Sequence, residues 1–227
     1  MKVDLHTALT WLGNSVYFFQ ALMAVFGTYL AVLLLRRVKQ KRFPSNEATA
    51  DFLNTVRDLL RTEKYDDALK LCQTPRWWRI LVPQLVIVAL QNRRDELARV
   101  KRTLAGKFQD VIADLDHTLS YIFTVVKMAP LAGLLGTVLG MIAAFSRLGS
   151  GDKVDPSELA GDVSLALWTT AVGVIIATPF ILVGNAINIR IRRLEDSAQS
   201  DLLRFIEDFE KSPGMLRSKV AVTAGAR

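Results

Sequence analysis

The chain has 227 residues, 51% hydrophobic and 22% charged, with a formal net charge of +7, two histidines and one cysteine. A single cysteine excludes an intrachain disulfide, and two distant histidines without CxxC spacing leave no metal-ligand set. No cofactor is therefore expected. The basic excess forms no aromatic-interleaved patch of the kind that reads nucleic acid; it gathers at the edges of apolar runs.

No charged residue occurs from Thr7 to Leu35, from Met128 to Phe145, or from Val163 to Ile189. Each run is about as long as the roughly 20 residues a spanning helix needs, or longer. The chain is therefore expected to be an all-α integral membrane protein with three transmembrane helices. The first run is too long, and too little positive charge precedes it, for a signal peptide. Arg36, Arg37, Lys39, Lys41 and Arg42 follow the first run, and Arg190, Arg192 and Arg193 follow the third. The connection between runs two and three sets Arg147 and Lys153 against Asp152, Asp155, Glu158 and Asp162. The positive-inside bias puts the N-terminus and that connection outside and the rest in the cytoplasm. The basic residues then act as topology determinants, with some contact to anionic lipid.

In chain order, span one is rich in Phe, Leu and Val and reads as a peripheral, lipid-facing helix, with Trp11 and Tyr17 at its outer interface. The stretch SNEATADFLNTVRDLL opens on a capping residue and places Phe52, Val56, Leu59 and Leu60 on one side of a helix. EKYDDALKLCQ continues as a short helix that TPRWW breaks. ILVPQLVIVAL, Ile80 to Leu90, is apolar but too short to span. It is either buried among other helices or laid on the membrane surface, burial being favoured. From Asp95 onward Leu97, Val100, Leu104, Phe108, Val111, Leu115, Thr118 and Ile122 recur at steps of three and four, a seam for packing on another helix. Nothing interrupts this helix before Pro130, so it is expected to feed directly into span two. Beyond span three, Leu194, Ala198, Leu202, Ile206 and Phe209 carry a helix onward until SPG, Ser212 to Gly214, with a disordered tail from Met215. Two spans prolonged as long cytoplasmic helices imply a ring or bundle of identical subunits.

Span two contains APLAGLLGTVLGMIAAF, Ala129 to Phe145. Ala129, Gly133, Gly136, Gly140 and Ala144 share one face, with Thr137 at its edge. In span three Ala166, Thr170, Gly173, Ala177 and Gly184 share a face, and Pro179 frees the carbonyl of Ile175. Small residues let two backbones approach where lipid removes the hydrophobic incentive to associate. A threonine on such a face either bonds its own i−4 carbonyl or helps to line a shared, mildly polar space. An ion path needs an ionisable group at depth. These runs offer none, since Lys127 and Asp162 stand at their edges, so the titrating group must come from a partner. The chain shows no nucleophile–base set, P-loop or paired carboxylates, and an enzyme is not expected. It also lacks the inverted repeats and polar midplane pocket of a secondary transporter.

These stretches resemble the ExbB/TolQ/MotA family of proton-channel subunits, in its three-span ExbB/TolQ branch. The span-two segment is similar to the family pattern APxxGLxGTVxG followed by Phe. ALWTTAVGVIIATPFILVGN, Ala166 to Asn185, resembles ALxxTAxGLxxAxPxxxxxN, with Thr170, Gly173, Pro179 and Asn185 at the matching spacings. KYDDALKLC resembles a weaker cytoplasmic pattern. The resemblance implies a homopentameric ring in a bacterial inner membrane, N-terminus periplasmic and C-terminus cytoplasmic. At its centre would run a pair of helices from a single-span ExbD- or TolR-like partner carrying the membrane aspartate. H+, or alternatively Na+, would drive work on a TonB-like or Tol-Pal-like envelope protein.

On this reading residues 1–36 hold the periplasmic end and span one, 37–127 a cytoplasmic helical region, and 128–146 span two. Residues 147–162 form a periplasmic loop, 163–189 span three, and 190–227 a cytoplasmic helix and flexible tail. Thr137, Thr169 and Thr170 are the candidate ion-path hydroxyls. Gly133, Gly136, Gly140, Ala166, Gly173, Ala177 and Pro179 are expected to pack around the partner helices. One position departs from the pattern: many ExbB and TolQ proteins carry a glutamate five residues before the span-three threonine, and here it is Leu165. Asp162, nearly one turn outward, is the candidate entrance charge in its place. The competing readings are a non-conducting membrane scaffold, or a motility-type or Na+-driven stator of the same family.

Overall fold

A computed structural model of the chain describes residues 5–149 and 155–213, and the side chains in that range except those of 5–14, 147 and 149. Among the described residues the regular elements are α-helices: α1 Leu5–Lys41, α2 Asn46–Arg61, α3 Tyr65–Gln73, α4 Leu81–Gln91, α5 Leu97–Gly149 and α6 Pro156–Glu210. Ser15–Lys41, Leu97–Ser146 and Pro156–Glu210 are long and apolar enough to cross a membrane. α4 is as apolar but has 11 residues. At 1.5 Å per residue it reaches about 16 Å, roughly half the hydrocarbon thickness. The side chain of Trp11, residues Asp152 and Lys153, and the tail from Met215 lie outside what is described.

The chain divides into two compact units, Met1–Leu34 with His117–Asn188, and Leu35–Asp116 with Ile189–Arg227. In the first, α1 buries Val16, Gln20, Met23, Gly27, Ala31 and Leu34 at steps of three and four. Phe18, Val25 and Tyr29 on its other side are 74%, 72% and 62% exposed. Span one therefore packs on one flank and is open on the other, as a peripheral helix is. The bare backbone of Gly27 is what admits its neighbours: a Cβ there would lie 2.8 Å from Phe180 Cζ and 3.2 Å from Val125 Cγ1.

The connection expected over 147–162 is mostly helical. α5 runs to Gly149, and α6 starts at Pro156 because Asp155 caps it. The Ser157 N–H donates to Asp155 Oδ1 at 2.9 Å, and proline suits the first helical position, where its missing N–H costs nothing. Pro130 and Pro179 both lie inside continuous helices.

The second unit has an ordinary water-facing construction. Ser45 caps α2 by accepting from the Ala48 N–H at 3.1 Å, and α2 buries Phe52, Leu53, Val56 and Leu60. Phe43, Phe52 and Trp77 pack as a trio with centroids 5.5–5.6 Å apart. Leu81, Val82, Leu85, Val86, Ala89 and Leu90 of α4 are at most 2% exposed, so the short apolar helix is a core element. Each large side chain buried this way contributes about 1.5–3 kcal/mol. The α5 seam in this unit runs Val100, Leu104, Phe108, Ile112 and Leu115. Ile112 replaces the expected Val111, and further on Leu119 replaces Thr118, because a helix of 3.6 residues per turn drifts off an alternating three–four count. The same drift puts Phe205 rather than Ile206 inward on α6.

Candidate functional site

Within the first unit the small residues of α5 and α6 close on each other. A Cβ built on Gly133 would lie 2.7 Å from the Thr169 carbonyl oxygen and 2.8 Å from Thr170 Cα. At Gly136 it would meet Thr169 Oγ1 at 2.5 Å, at Gly140 Ala166 Cβ at 2.5 Å, and at Gly173 the Ala129 carbonyl oxygen at 2.6 Å. At Gly133 and Gly173 the obstacle is backbone, so these two positions require glycine for close approach; at Gly136 and Gly140 it is a small side chain. Gly133, Gly136, Gly140, Ala166 and Gly173 thus form the chain's own helix seam. The residues expected to pack around a partner helix are the ones that bring α5 and α6 together within the chain. Ala177 is buried and Pro179 is exposed.

The three candidate hydroxyls fall into different states. Thr169 is 3% exposed, and its single O–H is shared between the Gly133 carbonyl at 2.9 Å, across the seam, and the Ala166 carbonyl at 2.7 Å in its own helix. Thr137 is 8% exposed and donates to the Leu134 carbonyl at 2.7 Å. That carbonyl lies three residues back, whereas Thr28, Thr124 and Thr178 bond the carbonyl four residues back. The Thr170 hydroxyl oxygen is buried and has no hydrogen-bond partner among the described residues. It is the one span threonine of this set not committed to the backbone.

Sequence reasoning missed Gln20. It is 1% exposed, and its Nε2 donates to the Thr169 carbonyl at 2.9 Å, while its Oε1 has no partner among the described residues. Gly173 makes this reach feasible, since a Cβ there would lie 3.2 Å from Gln20 Nε2. A buried amide from α1, a buried hydroxyl and the backbones of α5 and α6 thereby meet at one level. The Tyr17 hydroxyl ties α1 to α6 a second time by donating to the Leu165 carbonyl at 3.0 Å. The available signal was a lone Gln in an apolar run, a residue that lipid penalises unless it finds partners.

Leu165 itself is 57% exposed, and Asp162 is half-buried near the start of α6. Away from the seam both helices present large apolar side chains: Leu131, Leu135 and Phe145 on α5, Leu167, Trp168 and Ile175 on α6, each 55–63% exposed.

Residues 80–200, more than half of the chain, match the model of the MotA/TolQ/ExbB proton channel family. The chain belongs to that family. The match takes in α4 and nearly all of α5 and α6, so the glycine seam and all three candidate threonines lie within it, while Gln20 lies outside. A stretch of 98 residues, 43% of this chain and 41% of the relative, is 30% identical to the Tol-Pal system protein TolQ of Haemophilus influenzae. The biopolymer transport protein ExbB of Aquifex aeolicus is 38% identical over 79 residues, 35% of this chain and 53% of that one. A putative ExbB homolog of Methanothermobacter thermautotrophicus is 26% identical over 156 residues, 69% of this chain and 54% of that one. The chain spans about half the length of the curated relatives it matches. Family membership and three apolar helices make it a membrane protein of the proton-channel class.

Proposed function

We propose that this chain is the ring-forming subunit of an ion-driven motor in a bacterial inner membrane, and that Thr170 is its contribution to the ion path. The carrying observation is the uncommitted, buried hydroxyl of Thr170, set in spans that hold no Asp, Glu, Lys, Arg or His. A hydroxyl both donates and accepts, so it can pass a proton to water or to a carboxyl group without holding charge. The carboxyl is supplied by a single-span ExbD- or TolR-like partner. The ring is a homopentamer, and the partner's helices run against the exposed apolar flanks of α5 and α6 rather than against the glycine seam. H+ is the coupling ion, with Na+ as the alternative, and no cofactor or enzymatic step is involved. Each proton crossing about 100 mV releases roughly 2.3 kcal/mol, delivered as work on a TonB-like or Tol-Pal-like envelope protein. The N-terminus is periplasmic and the C-terminus cytoplasmic, as the basic flanks favour.

The closed glycine seam also suits a scaffold that conducts nothing, and one variant set separates the two readings. With the partner co-expressed, Thr170→Val should lower proton uptake driven by the membrane potential at least tenfold while the complex still purifies intact. Thr137→Val, whose hydroxyl serves its own helix, should have a smaller effect, and Thr169→Val should act through lowered stability. Normal proton uptake in Thr170→Val would leave the scaffold reading in possession.

A further inference from the structure

Lys39, Arg42, Arg76, Arg79, Arg190 and Arg193 line one groove of about 730 Å³ in the second unit, and no carboxylate lines it. The end of α1 brings Lys39 and the residue just past it is Arg42, the turn between α3 and α4 brings the next two, and α6 the last two. Among the described residues none of the six stands in an ion pair, although the same unit pairs Arg37 with Asp114, Arg57 with Asp208 and Lys101 with Glu210. Six like charges around one concavity repel one another, and a concave basic wall concentrates anions. Leu35, Val38 and Ile80 add an apolar side to the same groove.

Its place along the chain says which anion. Leu35 is the last residue of the first charge-free run and Arg190 the first residue after the third, so the groove lies where apolar spans give way to charge. Beside it Trp78 is 50% exposed, with the Arg79 guanidinium 4.9 Å from its ring centroid. Tryptophan is enriched at that depth, and a guanidinium over an indole ring still has N–H donors for a phosphate. We propose that this groove binds the phosphate headgroup of an anionic phospholipid from the leaflet where α1 and α6 emerge, with the glycerol end against Leu35 and Val38. The site requires that the chain cross a membrane but is indifferent to whether it conducts ions.

The test uses the full chain in neutral detergent at low salt, titrated with phosphatidylglycerol, phosphatidylcholine or inorganic phosphate and read by native mass spectrometry. Phosphatidylglycerol should bind at least tenfold more tightly than phosphatidylcholine. Arg79→Gln with Arg193→Gln should weaken that binding about 25-fold, at roughly fivefold per cation removed near an anionic lipid. Arg94→Gln with Arg102→Gln, an equal charge loss at exposed positions, should change it less than twofold. If the first pair loses helix content by circular dichroism, Arg76→Gln with Arg190→Gln takes its place. Unchanged lipid binding in the groove variants overturns the proposal. So does displacement of the lipid by millimolar inorganic phosphate, which would make this a soluble-anion site. Dissociation of the oligomer with lipid binding intact would also overturn it, making the groove a subunit contact.

Discussion

One helix, α5, serves two solvents, and the residues it buries change accordingly. In the second unit it turns Val100, Leu104, Phe108 and Ile112 inward, and its glycine, Gly106, faces open space. In the first unit it turns Gly133 and Gly136 inward and leaves Leu131, Leu134 and Leu135 outside. Water rewards burial of large apolar side chains at about 25 cal/mol per Å², so the water-facing unit is built from them. Lipid gives no such reward, since Leu is as well solvated by acyl chains as by another helix. Association there rests on close backbone contact and on interhelical hydrogen bonds worth about 0.6 kcal/mol on average. The same residue type is thus indispensable in one unit and idle in the other.

The sharpest way to break that contrast is to add a single methyl group to the seam. Gly133→Ala and Gly173→Ala each set a Cβ against a backbone carbonyl oxygen, at 2.7 and 2.6 Å, and backbone cannot rotate away. Each should cost about 1–3 kcal/mol or more, read as a lowered Tm of the full chain in detergent. Gly136→Ala should cost less, because its obstacle is the Thr169 side chain, which can turn at the expense of its bond to the Gly133 carbonyl. Equal Tm values for Gly133→Ala and the unaltered chain would mean that α5 and α6 stand farther apart than described.

The sequence revealed the helices more fully than their partners. Charge-free runs mark the three spans, Ser45 marks the start of α2, and the length of ILVPQLVIVAL excludes α4 as a span, because each of these is a local property. The small-residue faces were visible too, but a stripe of glycines states only that something comes close. It does not state whether the neighbour is the next span or another chain. Here Gly133 meets Thr169 and Gly173 meets Ala129, both across the seam of one chain. Thr137, Thr169 and Thr170 look alike as letters and differ only in which carbonyl lies within reach. Gln20 depends on the seam as well, since its partner is exposed by a glycine far along the chain.

Cys72 sharpens the other side of the contrast. It is 0% exposed on α3, and burial pushes its thiol up to about 12. An unfolded thiol titrates near 8.5. The folded state holds the proton more tightly, so this group's contribution to stability is complete below about pH 8.5 and is lost as pH rises through about 12. At pH 8 the thiolate fraction is roughly a thousandfold below that of a free cysteine. Maleimide labelling of the intact chain should therefore be slower than that of the denatured chain by at least this factor. Rapid labelling at pH 8 would show that the second unit opens around α3, a looseness its packed aromatic trio argues against.

The smallest effect has the opposite sign. Gly106 has nothing within 4 Å of where a Cβ would be, and it stands inside a long helix. Gly106→Ala should therefore stabilise the second unit by about 0.5–1 kcal/mol, the helix-propensity difference alone, seen as a small rise in Tm. The identical substitution at Gly133 lowers it, so one chemical change measured at two points of one helix isolates the role of close approach. A fall in Tm at Gly106 would mean that another subunit's backbone lies over that face in the assembled protein. The open side of α5 would then be a second glycine contact, formed between chains instead of within one.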